Sequence, residues 1–191
     1  MKKTLLAVLF ISASLSIFGQ RYRDDWTISV GVNALNNIAT QSPINSPGEW
    51  GFRNPLSAAI EYSWIDNFAI EQSFSINGFD GDPKIDNSLT ESKYNYFALD
   101  ANAKYYFREL IFGRGRHLSW FDIHANAGLG YFHIEKSKMS FNLGGGVLVW
   151  LDRNQTFGLR AQTIAKFSFN NSVYGYDNNH YQYHLQAVFR L

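Results

Sequence analysis

Seven charged side chains occupy segments in which polar and apolar residues otherwise alternate. They are Glu61, Glu71, Asp100, Lys104, Arg160, Lys166 and Arg190, and each falls in the polar half of its segment. Residues two apart point to the same face of a β-strand, so the alternation gathers these charges on one side of a sheet. Acidic and basic groups that share an enclosed face favour ion pairing.

Glu61 and Glu71 belong to successive strand-like segments that are joined by a short connection. A connection of three residues, 65–67, places Glu61 opposite Glu71 and Trp64 opposite Phe68, so that side chains of the same kind share a face. Two neighbouring carboxylates in a confined space need cations nearby if both are to stay ionised. We predict that two later segments supply them, which gives a salt-bridge network of Glu61, Glu71, Lys104 and Arg160.

Three other motifs suggest chemistry but fit structural roles better. His117 and Ser119 have the spacing of a base and a nucleophile, yet strand parity puts them in a connection. His180 and His184 are neighbours only on a helix, because on a strand they lie about 13 Å apart, too far for one metal ion. The glycines at 144–146 lack the Lys-Ser/Thr pair of a phosphate loop and fit a bend or close packing in a strand. We therefore expect no enzyme activity, no metal and no cofactor.

Eight segments of roughly ten residues carry the alternation, which is the length that a tilted membrane strand requires. Beyond Gln20 no segment has the period of an amphipathic helix. The apolar halves run from Trp26 to Ala34, Leu56 to Trp64, Phe68 to Ile76, Phe97 to Phe107, Phe121 to Tyr131, Phe141 to Leu151, Phe157 to Phe167 and Tyr181 to Leu191. In the third segment Gln72 is the one polar residue in the apolar half.

A soluble barrel of the lipocalin kind is the main alternative, since it also has eight strands. Such a barrel would turn its apolar side chains inward and leave the charged set outside. The connections favour a membrane barrel instead. Those after the second and sixth segments are short, and those after the first, third and seventh are long and polar. Outer-membrane barrels have short periplasmic turns and long external loops.

Aromatic residues gather at two levels of the alternating segments. One set lies at the ends assigned to the periplasmic rim: Trp26, Trp64, Phe68, Tyr105, Phe107, Phe121, Phe157 and Phe189. The other set lies at the opposite level: Phe74, Phe97, Tyr131, Phe141, Phe167 and Tyr181. Two aromatic belts around an apolar band match the two interfaces of a bilayer. We predict an all-β protein, an eight-stranded antiparallel transmembrane up-and-down β-barrel.

The N-terminus has the features of an export signal. Two lysines precede an apolar stretch of 14 residues, and small residues lead to a cleavage site between Gly19 and Gln20. The stretch is short of the roughly 20 residues of a transmembrane helix, although an uncleaved anchor remains the alternative. The predicted organisation is a cleaved signal peptide, 1–19, and an outer-membrane β-barrel domain, 20–191. The chain has no cysteine, which excludes a lipid-modified N-terminal cysteine.

Charge and composition limit the partners. Without the two lysines of the signal, the 17 basic and 16 acidic residues of the chain become 15 and 16. This balance argues against nucleic acid, which requires a clustered basic face. An aromatic content of 17% with a mean hydropathy of −0.23 indicates apolar and polar residues that are closely interleaved. We expect outer-membrane lipid as the surroundings and identify no small-molecule substrate.

Four fragments in order resemble the OmpA-like family of eight-stranded outer-membrane barrels. They are 103–107 (AKYYF), 127–131 (AGLGY), 158–162 (GLRAQ) and 188–191 (VFRL), and the resemblance covers essentially the whole chain after the signal. It implies a Gram-negative outer membrane. Leu191 stands where the family usually has an aromatic residue, and the peptidoglycan-binding domain of longer members does not follow, so we expect no cell-wall tether.

The leading functional expectation is a non-enzymatic barrel with a structural or interaction role, for which an accessory subunit of a larger outer-membrane assembly is one form. An eight-stranded barrel has an interior barely wide enough for its own side chains, so the network is expected to plug it. A narrow or gated pore for small solutes is the alternative, and a lipid-modifying enzyme is the third. The small outward residues Ala101, Ala103, Ala125 and Ala127 would let another membrane protein approach closely.

Overall fold

The structure is a computed structural model. It describes residues 25–37, 50–65, 67–80, 93–112, 120–169 and 179–191. The signal peptide predicted at 1–19 lies outside these residues.

The described residues form eight strands and one short helix. The strands are β1 (Asp25–Asn37), β2 (Leu56–Ile65), β3 (Phe68–Phe79), β4 (Tyr94–Tyr106), β5 (Phe121–His133), β6 (Ser137–Trp150), β7 (Phe157–Ser168) and β8 (His180–Arg190). Each strand pairs antiparallel with the next, and β8 pairs with β1, which closes the barrel. The predicted all-β fold, an eight-stranded up-and-down antiparallel barrel, is confirmed.

No helix was predicted, and one follows β4: α1 (Arg108–Phe112) has five residues. No helix in the described part of the chain is long and apolar enough to span a bilayer. Several strands also extend beyond the predicted bounds. For example, β6 begins at Ser137 instead of Phe141, and its added residues pair with the end of β5. Backbone pairing therefore continues past the apolar alternation from which the bounds were predicted.

The alternation of each strand sorts its side chains between the interior and the outer surface. Inward positions are buried and mostly polar or charged, whereas outward positions are exposed and mostly apolar. The lipocalin-like alternative, with apolar residues inside, is therefore wrong. Aromatic side chains of neighbouring strands also contact one another on the outer surface. The ring centroids of Phe68 and Tyr105 are 4.9 Å apart at one end, and those of Phe74 and Phe97 are 5.3 Å apart towards the other.

The pairing of β2 with β3 places Glu61 opposite Glu71, as predicted, although the connection is 66–67 and not the predicted 65–67. The predicted pairing of Trp64 with Phe68 is wrong, because Ile65 is the residue opposite Phe68. The register shifts between Ser63 and Ile65, so an extra residue is accommodated as a bulge. Without the bulge, the pairing of Ile65 with Phe68 would place Glu61 and Glu71 on opposite faces of the sheet. The rings of Trp64 and Phe68 remain neighbours at 6.4 Å.

The glycines of β6 allow close packing of the barrel wall. A Cβ atom at Gly144 would lie 2.2 Å from the carbonyl oxygen of Thr163, and one at Gly146 would lie 2.4 Å from that of Ala161. A larger residue at either position would push β6 away from β7. These glycines therefore allow close packing between β6 and β7, which is the close packing that the sequence indicated.

The β6–β7 connection is held by one carboxylate. Asp152 accepts hydrogen bonds from the backbone N–H groups of Phe157 at 2.8 Å, Thr156 at 2.9 Å and Asn154 at 3.2 Å. Gln155 adopts a left-handed conformation with a φ of 56°. The N–H of Phe157, followed by the hydroxyl and N–H of Thr156, holds the pKa of the Asp152 carboxyl below its usual value.

We expect Asp152→Asn to lower the free energy of unfolding at neutral pH. A folded-state pKa below the unfolded-state pKa means that the carboxylate stabilises the fold above the unfolded-state value. That contribution disappears as the pH falls through the folded-state pKa. Urea unfolding in lipid vesicles at several pH values measures the effect. The difference from wild type should shrink in acid, whereas Asn154→Ser should show no pH-dependent difference. A variant deficit that persists unchanged at low pH would contradict the assignment.

Candidate functional site

The structure brings together the four charged residues that the sequence singled out. The Arg160 guanidinium donates to Glu61 Oε2 and to Glu71 Oε2, both at 2.8 Å. Lys104 Nζ lies 3.1 Å from Glu61 Oε2 and also donates to Glu71 Oε2. Each cation thus contacts both carboxylates. We call Glu61, Glu71, Lys104 and Arg160 the ion-pair quartet.

Three neighbouring strands and the opposite wall position the quartet. Glu61 on β2 faces Glu71 on β3, and Lys104 on β4 is paired with Ala69, two residues from Glu71 on the same face. Arg160 comes from β7, which is three strands from β2 around the barrel. Its side chain therefore crosses the lumen to reach the glutamates. The quartet links opposite walls of the barrel.

The quartet is electrically balanced and removed from water. The exposed fraction of each of its four side chains is 4% or less. Two carboxylates and two cations leave no net charge in this layer. Buried charges are tolerated when they are paired and hydrogen-bonded in this way, and breaking one pair is costly. The arrangement is suited to holding the opposite walls of the barrel together and to filling the lumen.

Tyr106 belongs to the same layer and was missed from the sequence. Its hydroxyl donates to Glu61 Oε1 at 2.6 Å and accepts from Arg160 at 3.3 Å. The residue follows Lys104 by two positions, so strand parity places it inside. Strand parity was therefore the signal that could have identified Tyr106. It was missed because only the outward neighbours, Tyr105 and Phe107, were considered, as members of the aromatic belt.

A second charged layer lies elsewhere in the lumen. Lys166 Nζ is 2.7 Å from both carboxylate oxygens of Asp100, and the side-chain amide of Asn142 donates to Asp100 Oδ1 at 3.0 Å. Lys166 also lies 5.9 Å from the centroid of the Tyr96 ring. Asp100 and Lys166 were recognised as inward charges, but their pairing was not predicted, because β4 and β7 are not adjacent.

An aromatic layer fills the lumen next to Lys166. The Tyr96 hydroxyl and His180 Nε2 are 2.8 Å apart, and the Phe132 ring lies 4.9 Å from the His180 ring. These residues pack into a buried apolar cluster with further side chains of the same end: Leu35, Phe79, Tyr94, Ala98 and Ile134. The cluster lies towards the end of the barrel that carries the long connections.

The opposite end of the lumen is closed by another mixed cluster. Asp122 accepts a hydrogen bond from Arg108 Nε at 2.7 Å and one from the Trp150 indole at 2.9 Å. Trp150 also packs beneath the Arg190 guanidinium, whose carbon lies 4.6 Å from the ring centroid. Leu148 and Val188 complete this cluster.

These layers together fill the described lumen. Arg160, Tyr96, Lys104, Phe132 and Lys166 are among its largest side chains, and each has less than 2% of its surface exposed. Water therefore reaches almost none of their surface. Within the described residues the interior has the character of a packed polar core.

The other candidate residues that the structure describes do not form a metal site. His124 on β5 faces the lumen and pairs with Gln162 on β7 at 3.1 Å, and His184 is buried on β8, opposite Gln162 in the β7–β8 pairing. His117 and Ser119 lie outside the described residues. Among the residues that the structure describes, no three His, Cys, Asp or Glu side chains are grouped so that they could hold a metal ion.

One serine–histidine contact on the outer surface was not anticipated. In the β5–β6 hairpin, Ser137 Oγ lies 3.2 Å from His133 Nδ1 and 2.6 Å from the Tyr131 hydroxyl. All three side chains are exposed. Tyr131 belongs to the aromatic belt at this end, so the contact lies just beyond the apolar band.

Comparison with known proteins shows the fold and no closer relationship. No family model matches the chain, and no curated protein matches it. Ail of Yersinia pestis has a TM-score of 0.51 and 13% identity, over 89% of this chain and 100% of that one. Neisserial surface protein A has a TM-score of 0.51 and 13% identity, over 88% and 96% of the chains. The outer membrane protein AlkL, solved in lipid bilayers, has a TM-score of 0.52 and 12% identity, over 91% and 92%. The resemblance to eight-stranded outer-membrane barrels is confirmed at the level of the fold.

Proposed function

We propose that this protein is an integral outer-membrane barrel with a structural or interaction role, and that it is not an open channel. The filled lumen is the observation that carries the proposal. Charged, aromatic and mixed layers occupy the interior at successive levels, and their side chains are buried. A barrel that passes nothing through its interior acts through its wall and its loops.

The outer surface supports the membrane location. Exposed apolar residues cover the wall between the two aromatic belts. On β5 these belts are represented by Phe121 and Tyr131, which are ten residues apart. Ten residues span about 33 Å along a strand, or about 25 Å along the barrel axis at the usual tilt. This height matches the apolar band of roughly 25 Å in outer-membrane barrels.

Purified protein in planar bilayers tests the closed lumen. We expect no conductance steps above the lipid background, because the quartet and the aromatic layer leave no hydrated path. Folded protein must first be verified by its heat-dependent mobility on a gel. Reproducible steps from the folded protein would overturn the proposal and favour the narrow or gated pore.

The wall offers a specific surface for an interaction role. Gln72 is exposed at mid-height on the outer face of β3, and Ala101 is its neighbour on β4. Ala103 on β4 lies opposite Ala127 on β5. An amide that faces hydrocarbon without a partner is costly, and small residues allow close approach of another transmembrane surface. A protein partner in the membrane would offer the Gln72 amide a hydrogen bond and would pack closely against the alanines.

Affinity capture from mildly solubilised outer membranes tests this role. A tagged wild-type barrel should recover a stoichiometric membrane protein, identified by mass spectrometry. Ala103→Trp should reduce that recovery at least about tenfold by blocking close approach. Leu185→Trp on β8, also exposed on the outer face, is the matched control and should retain the partner. Recovery of the wild-type barrel alone, or equal recovery with both variants, would contradict an interaction through this face.

A second candidate function, acyl-ester hydrolysis on outer-leaflet lipid, is favoured by the contact of Ser137 with His133. A serine hydroxyl next to an imidazole is the minimal nucleophile–base pair of acyl transfer. Lipid analysis by mass spectrometry of cells with wild-type protein and with Ser137→Ala tests it. A lipid species that changes in the variant would support hydrolysis, whereas identical spectra would exclude it.

A further inference from the structure

The connection between β4 and β5 differs from the β6–β7 connection at the same end of the barrel. The β6–β7 connection exposes one apolar side chain, Leu151 at 54%, and is otherwise polar, with Arg153 and Asn154 exposed. By contrast, the β4–β5 connection exposes 71% of Leu110, 45% of Ile111 and 67% of Trp120. Exposed apolar residues that cluster in one connection indicate a contact with something apolar.

Both ends of this connection continue the aromatic belt of the barrel. The Phe107 ring lies 5.1 Å from the Tyr105 ring, and α1 begins at the next residue. At the other end the Trp120 ring lies 4.8 Å from the Phe121 ring, and the Trp120 carbonyl accepts the N–H of Trp150 at 2.7 Å. The exposed side chains are therefore an extension of the belt.

The barrel fixes the direction of α1. The N–H groups of Leu110 and Ile111 donate to the carbonyl of Phe107 at 3.0 and 3.1 Å. Arg108 binds Asp122 inside the barrel end through two nitrogen atoms. With its first residue tied inward, the helix exposes Leu110 and Ile111 to the surroundings at a defined position beside the belt.

The charge of the connection favours a lipid surface over an apolar groove in a protein. Between Phe107 and Trp120 the sequence contributes three arginines and one acidic residue, Glu109. Arg108 binds Asp122, and the other two arginines outnumber Glu109 by one. Basic residues next to exposed leucine, isoleucine and tryptophan are typical of segments that lie on anionic lipid, with their apolar side chains at the headgroup–acyl boundary.

We propose that α1 and Trp120 form an interfacial anchor, in which Leu110, Ile111 and Trp120 insert into the periplasmic leaflet of the outer membrane. The proposal rests on the membrane location proposed above. It assigns to this connection a lipid-binding role that the β6–β7 connection does not share. The anchor would fix the depth of the barrel on the β4–β5 side.

The absence of cysteine allows a clean fluorescence test. Single-cysteine variants Leu110→Cys and Ile111→Cys are labelled with the environment-sensitive dye NBD and folded into phosphatidylethanolamine–phosphatidylglycerol vesicles. Asn154→Cys is the matched control in the other connection. Leu185→Cys reports on the wall of the barrel. Each labelled protein is measured with iodide in the water phase and with lipids that carry a quencher near the headgroup or deep in the chains.

At positions 110 and 111 we expect blue-shifted emission, strong quenching by the shallow lipid quencher and iodide quenching at least about threefold weaker than at position 154. The label at 185 should be quenched by the deep lipid quencher. If 185 is quenched but 110 and 111 behave like 154, the anchor is wrong and the membrane barrel stands. Shielding at 110 and 111 that occurs in native outer membranes but not in vesicles would assign the surface to a protein and also overturn the anchor. Failure of quenching at 185 would instead contradict the membrane location.

Discussion

Replacement of Arg160 by methionine is expected to lower the free energy of unfolding by about 3–5 kcal/mol. Arg160 donates one hydrogen bond to each glutamate of the quartet, at 2.8 Å in both cases. Without it, Lys104 alone faces two buried carboxylates. The layer then carries an uncompensated negative charge, and charge burial without a partner is the costly change. Methionine keeps much of the volume, so the effect should be mainly electrostatic.

A double variant separates charge from packing in this test. Arg160→Met with Glu71→Gln leaves one carboxylate and one ammonium group, which restores neutrality. We expect it to recover most of the loss, as measured by urea unfolding in vesicles. A double variant that is no more stable than Arg160→Met would show that Arg160 stabilises the barrel by packing and not by its charge. An Arg160→Met protein as stable as wild type would contradict a bracing role for the quartet.

The inward face of each quartet member and the pairing of the two glutamates were predictable because they depend on short-range rules. Alternation fixes the face of each residue, and the short β2–β3 connection fixes which glutamate faces which. Lys104 and Arg160 were proposed as cations of inward parity, whereas the reach of Arg160 from β7 to β2 and β3 depends on the stagger of strands that are not adjacent. The same reasoning gave the wrong partner for Phe68. A two-residue turn with a bulge and a three-residue turn without one both place Glu61 opposite Glu71. Sequence length alone does not distinguish them.

The other lumen layers depend on the stagger of the strands around the closed barrel. The contact of Asp100 with Lys166 joins β4 to β7, and that of Tyr96 with His180 joins β4 to β8. Their relative heights are set by the sum of the registers around the barrel. A local sequence pattern carries no information about the sum of these registers. The inward apolar residue Phe132 was unexpected for a related reason, since the predicted alternation ends at Tyr131, before β5 does.

Phe132→Ala is expected to remove about 3–5 kcal/mol of unfolding free energy, because Phe132 is completely buried in the aromatic layer. The matched control is Phe141→Ala on β6, whose ring is exposed on the outer face and should cost less. Urea unfolding in vesicles measures both. Equal losses for the two variants would show that the interior ring is not closely packed.

Conductance of Phe132→Ala then identifies the layer that seals the lumen. We expect the folded variant to pass no current, because the Asp100–Lys166 pair and the quartet still occupy the levels next to the cavity. A hydrated path needs every layer to open, whereas a single filled layer is enough to block it. If Phe132→Ala conducts, the aromatic cluster is the only effective seal and the charged layers already contain connected water. If it does not conduct but the triple variant with Arg160→Met and Glu71→Gln does, the quartet is a second, independent seal. In that case the ion pairs that brace the opposite walls also close the barrel.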